Sequence, residues 1–231
     1  MRKLTKNRKQ ISQKYDRNKA YPLSEAAKIV KEISSYSRFD SSIDIAVRLG
    51  IDPRKSNQMV RGVVKLPHST GKNICILALV GPDKEVEAKE AGADYVGSDE
   101  YIEKINHGWT EIDVIITTPM MMPKLGRLGK ILGPRGLMPN PKTGTISTEI
   151  GKSIKEVKSG KIDFKVDRFG IVHATVGRAS FLPEKVVDNS LELIKIINRL
   201  KPSSSSGTYL KSIFLSGTMS PGIQIDVKSI I

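Results

Sequence analysis

Asn73–Thr117 reads NICILALVGPDKEVEAKEAGADYVGSDEYIEKINHGWTEIDVIIT, and its rhythm decides the architecture. The apolar run from Asn73 to Val80 reads as a buried strand, and the Glu- and Lys-rich segment after it as a helix to about Ala91. Tyr95-Val96 is a short strand, a second helix runs to His107, and Val114–Thr117 is another apolar strand. Strands of this kind alternate with helices when the helices cover a parallel sheet. The segment therefore predicts a small parallel α/β layer.

Both flanks follow a different pattern. Ile43, Ile45, Val47 and Leu49 alternate with Asp44, Ala46 and Arg48, as a strand with one buried face does. Further on, Ile162, Phe164, Val166 and Ile171, Val172, Ala174, Val176 flank Asp167-Arg168-Phe169-Gly170 and read as a hairpin. Tyr209–Leu215 and Ile223, Ile225, Val227 read as two more strands, after a Ser-rich linker at Lys201–Gly207. Two helices accompany them. Ser24 is placed to N-cap a helix through Ile33, with Ala26, Ile29, Val30 and Ile33 on one face, and Pro183 opens a helix to Leu200 carrying Val187, Leu191, Ile194 and Ile197. Because the two ends share one style and the middle has another, the expected fold class is α/β in two domains. An α+β split domain over 1–67 and 160–231 receives a Rossmann-like, three-layer α/β domain over 68–159. The connections near Leu66–Ser69 and Lys158–Lys161 would form a two-stranded hinge.

Charge is distributed as unevenly as pattern. The 231 residues are 39% hydrophobic, enough for ordinary cores, yet carry a formal charge of +14. Met1–Lys19 supplies half of it, eight basic residues against Asp16, and is expected to stay mobile until bound. Gly71–Asp113, by contrast, holds ten acidic residues against four lysines. After it comes Met120–Ile146, MMMPKLGRLGKILGPRGLMPNPKTGTI, where Lys124, Arg127, Lys130, Arg135 and Lys142 stand among five glycines and four prolines with no acidic residue. Fixed turns deny this loop a long helix, and its cations favour a polyanion. No apolar run approaches the roughly 20 residues of a membrane span, and the tail is too polar for a signal peptide, so a soluble intracellular protein is expected.

Enzyme signatures are weak. Gly136–Thr143, GLMPNPKT, has a superficial phosphate-loop look, but Pro141 occupies the place of the required glycine and offers no N–H to a phosphate. Cys75 sits in an apolar run as a core residue, and His68, His107 and His173 are scattered, so neither metal nor cofactor is called for. Aromatic residues are only 5%, which argues against a surface of stacked single-stranded bases, and no helix carries a DNA-reading pattern. Structured RNA is the best match. A nucleotide-using enzyme and a DNA-binding regulator remain alternatives, separable by calorimetry with ATP and by competition with duplex DNA.

The run MPKLGRLGKILGPRGLMPNPKTGT resembles the signature of the ribosomal protein L1 family of bacterial type. So do Phe39-Asp40 with IDIAVRLGIDP (Ile43–Pro53), NQMVRGV (Asn57–Val63), Leu66-Pro-His68, EAGADYV (Glu90–Val96) and Pro183-Glu-Lys185, which together span nearly the whole chain. The resemblance implies binding to the stalk of large-subunit ribosomal RNA, contact with exit-site tRNA, and repression of the chain's own operon through its messenger RNA. It also implies contact with other ribosomal components, a monomer when free, no cofactor, and a cytoplasmic ribosome, with a plastid one left open. Carried onto this sequence, the family's principal RNA contacts fall on Glu25, Arg38, Phe39, Ser42 and Asp44, and on Thr218, Met219 and Ser220. The five loop cations become secondary contacts to RNA or tRNA. One departure is visible: the family's Thr-Met-Gly-Pro loop has Ser220 before Pro221 here, which puts close backbone approach to RNA in doubt.

Each position has a chemistry that fits. Arg38 can neutralise a phosphate, Ser42 and Thr218 can exchange hydrogen bonds with ribose hydroxyls, and Phe39 and Met219 can lie against sugar or base. Glu25 and Asp44 can accept from a 2′-hydroxyl and repel misplaced phosphates. Plainer readings stand beside these. Glu25 suits the first turn of any helix, Asp44 could simply face solvent, and Phe39 and Met219 taken alone would more often be core.

Overall fold

Where apolar residues recur at every second position the chain extends, and where they recur every third or fourth it coils. The computed structural model describes residues 5–205 and 207–230, so Arg2 and Lys3 of the basic tail and Ser206 of the linker lie outside the described residues. In chain order the elements are helices α1 (Lys6–Lys14) and α2 (Leu23–Ser34), then strands β1 (Ser42–Leu49), β2 (Arg61–Lys65) and β3 (Ile76–Leu79). Helix α3 (Glu85–Glu90), β4 (Tyr95–Gly97), α4 (Asp99–Asn106) and β5 (Val114–Thr117) follow, then the short helices α5 (Met122–Gly126) and α6 (Gly129–Leu132) and the longer α7 (Ile150–Lys158). Last come β6 (Lys161–Lys165), β7 (Ile171–Arg178), α8 (Pro183–Arg199), β8 (Leu210–Gly217) and β9 (Ile223–Ile225). Two compact units result, Met1–Gly71 with Ile162–Ile231, and Lys72–Lys161.

In the middle unit β3 is the central strand of a parallel sheet of order β4-β3-β5. It is buried on both faces. Ile76, Ala78 and Val80 meet Ala88 of α3 and Ile150, Ile154 and Val157 of α7, while Leu77 and Leu79 meet Ile105 of α4, Leu125 of α5, and Leu128 and Leu132. Two cores on opposite faces make three layers. The strand is shorter than the apolar run because side chains serve its entry: the carboxylates of Asp94 and Asp113 accept the N–H groups of Ile76 (2.9 Å) and Cys75 (3.1 Å). Burial, with those two carboxylates beside it, pushes the Cys75 thiol up and keeps it an inert packing group.

The other unit is built on an antiparallel sheet of order β7-β1-β8-β9, with β1 between two strands from the far end of the chain. The inner face, Ile43, Ile45 and Val47, packs in one core with Ala26, Val30 and Ile33 of α2 and Leu193, Ile194 and Ile197 of α8. The division falls after Gly71, a few residues beyond the boundary read from pattern. Residues 68–71 are held inside this unit: Asn189 of α8 binds the backbone of His68, and Gly71 lies against the ring of Phe181.

Four expectations are corrected. The segments around Asp167–Gly170 are not a paired hairpin: apart from one bridge, Val166 to Val172, β6 pairs with β2 and β7 with β1, because each strand follows the neighbour that buries its apolar side. Ser24 does not cap α2, which starts one residue earlier with Pro22 at the cap position. Val227 is not in a strand but opens a 3-10 turn at Val227–Ser229, whose N–H at Lys228 is accepted by the Asp226 carboxylate at 3.0 Å. Of the basic tail, expected to be mobile until bound, Lys6–Lys14 folds as α1. Ile11 and Tyr15 pack on the core, Lys14 pairs with Glu32 at 2.5 Å, and the Asp16 N–H donates to the Tyr21 hydroxyl at 2.8 Å.

Tyr209 gives this unit a pH limit. Its ring is buried, its hydroxyl donates to the Ile197 carbonyl at 3.2 Å, and burial pushes the phenol up to about 12. A group whose pKa is raised on folding stabilises fully below its unfolded value and loses that contribution as pH climbs to the folded one. Stability of this unit should therefore fall between about pH 10 and 12. Phenolate absorbance should show one tyrosine titrating with unfolding, and Tyr209→Phe should remove that late step.

Candidate nucleic-acid interface

With α2 and α8 on its inner side, the four-stranded sheet presents its other face outward. Strand register sets the rows on it. Asp44 stands between Thr175 and Ser216, Ala46 between His173 and Phe214, and Arg48 between Ile171 and Ser212, with Gln224 beyond Phe214. The Thr175 hydroxyl donates to the Asp44 carboxylate at 2.6 Å, so Asp44 is an oriented acceptor rather than a loose surface charge. Phe214 remains 38% exposed, an apolar surface in a row of hydrogen-bonding groups. Helix α1 borders this face, and Arg8 and Arg17 share with Phe214 and Gln224 the lining of an open cleft.

One end of the sheet gathers most of the residues singled out from sequence. The β8–β9 turn folds back on the start of β1: the Thr218 hydroxyl accepts the Ser42 N–H at 3.1 Å and lies 3.3 Å from the Ser42 carbonyl, to which the Thr218 N–H also donates at 3.1 Å. Phe39 and Met219 are exposed beside this clamp, 53% and 79%, and both line one cavity. Arg38 is exposed in the same loop. Ser220 has a local task. Its hydroxyl accepts the Gly217 N–H at 2.6 Å and closes the turn. Glu25 stands apart, exposed in the first turn of α2, with no hydrogen bond or ion pair joining it to the others among the described residues.

Asp40, adjacent to Phe39, was not singled out from sequence, and it fixes the loop. Burial pushes its carboxyl up, but the N–H and hydroxyl of Ser180 (2.9 and 3.0 Å) and the Arg178 guanidinium outweigh that and hold it below the usual carboxylate range. Thr175 and Ser180 also escaped sequence reading. Neither position carries a local signal, because each matters only through a partner more than a hundred positions away.

In the middle unit all five loop cations are exposed. Lys124 is held by Asp99 at 2.7 Å, while no acidic side chain among the described residues pairs with Arg127, Lys130, Arg135 or Lys142. The resemblance to a phosphate loop ends in geometry. The Asn140 side chain accepts the Lys142 N–H at 2.8 Å, and the Asn140 N–H donates to Thr145, so the backbone donors close a turn. No group of side chains suited to a metal ion occurs among the described residues, and no helix among them is long and apolar enough to cross a membrane.

Residues 30–221 match the model of the "Ribosomal protein L1p/L10e family". The chain belongs to the ribosomal protein L1 family. It is 62% identical over 230 residues to "Large ribosomal subunit protein uL1" of Bacteroides thetaiotaomicron, covering 100% of this chain and 99% of that one. It is 60% identical over 230 residues to the protein of that name from Flavobacterium psychrophilum, covering all of both chains. Membership in the L1 family makes this a ribosomal protein of a non-enzymatic kind, in keeping with a site made of hydroxyls, an oriented carboxylate and arginines.

Proposed function

We propose that this chain is a structural component of the large ribosomal subunit whose split unit grips the folded RNA of the stalk. The observation that carries the reading is the outward sheet face, which presents an oriented hydroxyl–carboxylate pair and, at its Phe214–Gln224 side, Arg8 of α1 and Arg17 just beyond it. Structured RNA offers the matching chemistry: 2′-hydroxyls that donate and accept, phosphates for Arg8, Arg17, Arg38 and Arg48, and sugar faces for Phe39 and Met219. Asp44 selects a hydroxyl or amino donor and repels a phosphate, which gives specificity rather than raw affinity. Glu25 joins the same RNA from its separate position, and Ser220 contributes by shaping the turn that presents Thr218 and Met219.

The middle unit, with Lys124 and the four loop cations that no acidic side chain pairs among the described residues, meets stalk RNA or the exit-site tRNA as a secondary contact. The two connections near Gly71 and Lys161 act as a hinge, so the unit can follow tRNA as it moves and leaves. Binding of the chain's own operon messenger RNA at the same site represses its translation when ribosomal RNA is saturated. The bacterial relatives point to a cytoplasmic ribosome.

Titrating the chain with stalk RNA and with an unrelated duplex at two salt concentrations tests the reading. Stalk RNA should bind more tightly at both. Neutralising Lys9, Arg17 and Lys19 should weaken both RNAs alike and flatten the salt dependence, since these groups act on phosphates. Failure to distinguish the two RNAs at moderate salt would sink the reading, and crosslinks confined to the split unit would remove the loop contact.

A further inference from the structure

Ser34 ends α2 and Ser41 precedes β1, and their side chains are buried, 4% and 2% exposed. Neither hydroxyl has a hydrogen-bond partner among the described residues. They converge near Gly217: a Cβ built there would lie 2.7 Å from the Ser34 hydroxyl, 3.2 Å from that of Ser220 and 3.4 Å from that of Ser41. Both buried serines line the cavity of about 480 Å³ that Phe39 and Met219 border. Leaving a buried hydroxyl unpaired costs about 1–3 kcal/mol, so the floor of this cavity is built for a guest with hydrogen-bonding groups.

The walls limit what that guest is. Ile11 of α1 and Ile33 of α2 supply apolar sides, Phe39 an exposed ring, and Met219 a polarizable, adaptable side chain. Arg8 is the charged residue of the lining, and no acidic residue takes part, so an anionic guest is favoured and a cation is not. A flat ring with donors and acceptors on its edge, joined to a phosphate outside, satisfies all of these conditions. We propose that this cavity takes one unpaired nucleobase of the RNA bound at the neighbouring sheet face, an inference that rests on the RNA-binding reading above. Rotation of the Ser34 and Ser41 side chains, whose hydroxyl oxygens are sealed from solvent in the free chain, brings them to the base edge; the base faces meet the apolar walls, and Arg8 holds its phosphate. Few aromatic residues are needed for this. One pocket reads one extruded base, whereas a stacking surface would need an aromatic side chain for each.

Stalk RNA carrying 2-aminopurine at each unpaired adenine or guanine in turn, titrated with the full chain, tests the proposal. One position should change its fluorescence on binding. Ser34→Ala and Ser41→Ala remove hydroxyls that have no protein partner among the described residues, so they should leave its melting temperature unchanged or raised. They should nevertheless weaken stalk RNA about fivefold or more, leave the unrelated duplex untouched, and diminish the fluorescence change. Ile11→Phe, which narrows the cavity from the opposite wall, should reproduce the loss. Specific stalk binding with no responding position, or with affinity indifferent to all three substitutions, would overturn the pocket while leaving the RNA-binding reading intact. Loss of stalk discrimination by the unaltered chain would overturn both.

Discussion

Replacing Asn189 with leucine should destabilise the split unit by about 3–5 kcal/mol, the largest effect expected from a single substitution outside the hydrophobic core. The side chain is fully buried. Its amide oxygen accepts the His68 N–H at 3.0 Å, and its nitrogen donates to the carbonyls of His68 (2.9 Å) and Val176 (2.7 Å). Leucine has a similar volume and leaves three backbone groups without partners, the buried Val176 carbonyl and the partly buried N–H and carbonyl of His68, each costing about 1–3 kcal/mol when shut away from water. Since the bonds to residue 68 are all to its backbone, His68→Ala should cost little beyond its exposed 3.4 Å side-chain contact with Asp188. Urea unfolding of the two variants checks the contrast. A leucine variant within about 1 kcal/mol of the parent would show that water replaces the amide.

The second large effect belongs to binding. Thr218→Ala should weaken stalk RNA by about 1–3 kcal/mol while leaving an unrelated duplex nearly unaffected. Two losses combine: a directional hydroxyl at the contact, and the acceptor for the Ser42 N–H that fixes the start of β1. Thr218→Ser keeps both groups and should recover most of the affinity. Equal losses on both RNAs would refute a specific role for this residue. Ser42→Ala should behave more mildly in the free protein, because the clamp uses only the backbone of Ser42.

Much of the fold could be read directly. Val114–Thr117 is apolar throughout and bounded by turn residues, and β5 has those bounds. The two-residue alternation of Ile43–Leu49 likewise puts Ile43, Ile45, Val47 and Leu49 inside. Pairing was less legible, since the partner of a strand is chosen by burial across long sequence separations; β6 and β7 adjoin in sequence yet enter different sheets. Helix α1 was masked by its charge. Ile11 and, just past its end, Tyr15 are the partly buried residues that mark its packed side, too little periodicity to outweigh so many cations. For the interface, Phe39, Ser42, Thr218 and Met219 came from resemblance, and residue chemistry alone would have placed Phe39 and Met219 in the core. Asp40, Ser34 and Ser41 were invisible because a lone serine or aspartate acquires meaning only from what surrounds it in three dimensions.

The central position of β1 in its sheet also bears on how the protein is made. Its neighbours β7 and β8 lie in the final third of the chain, so a nascent polypeptide carrying β1 has nothing to pair it with until synthesis is nearly over. The middle unit draws on one continuous stretch and can fold earlier, while the first seventy-one residues wait. A prematurely terminated product therefore lacks the strands that complete this sheet, and only a finished chain presents its outer face.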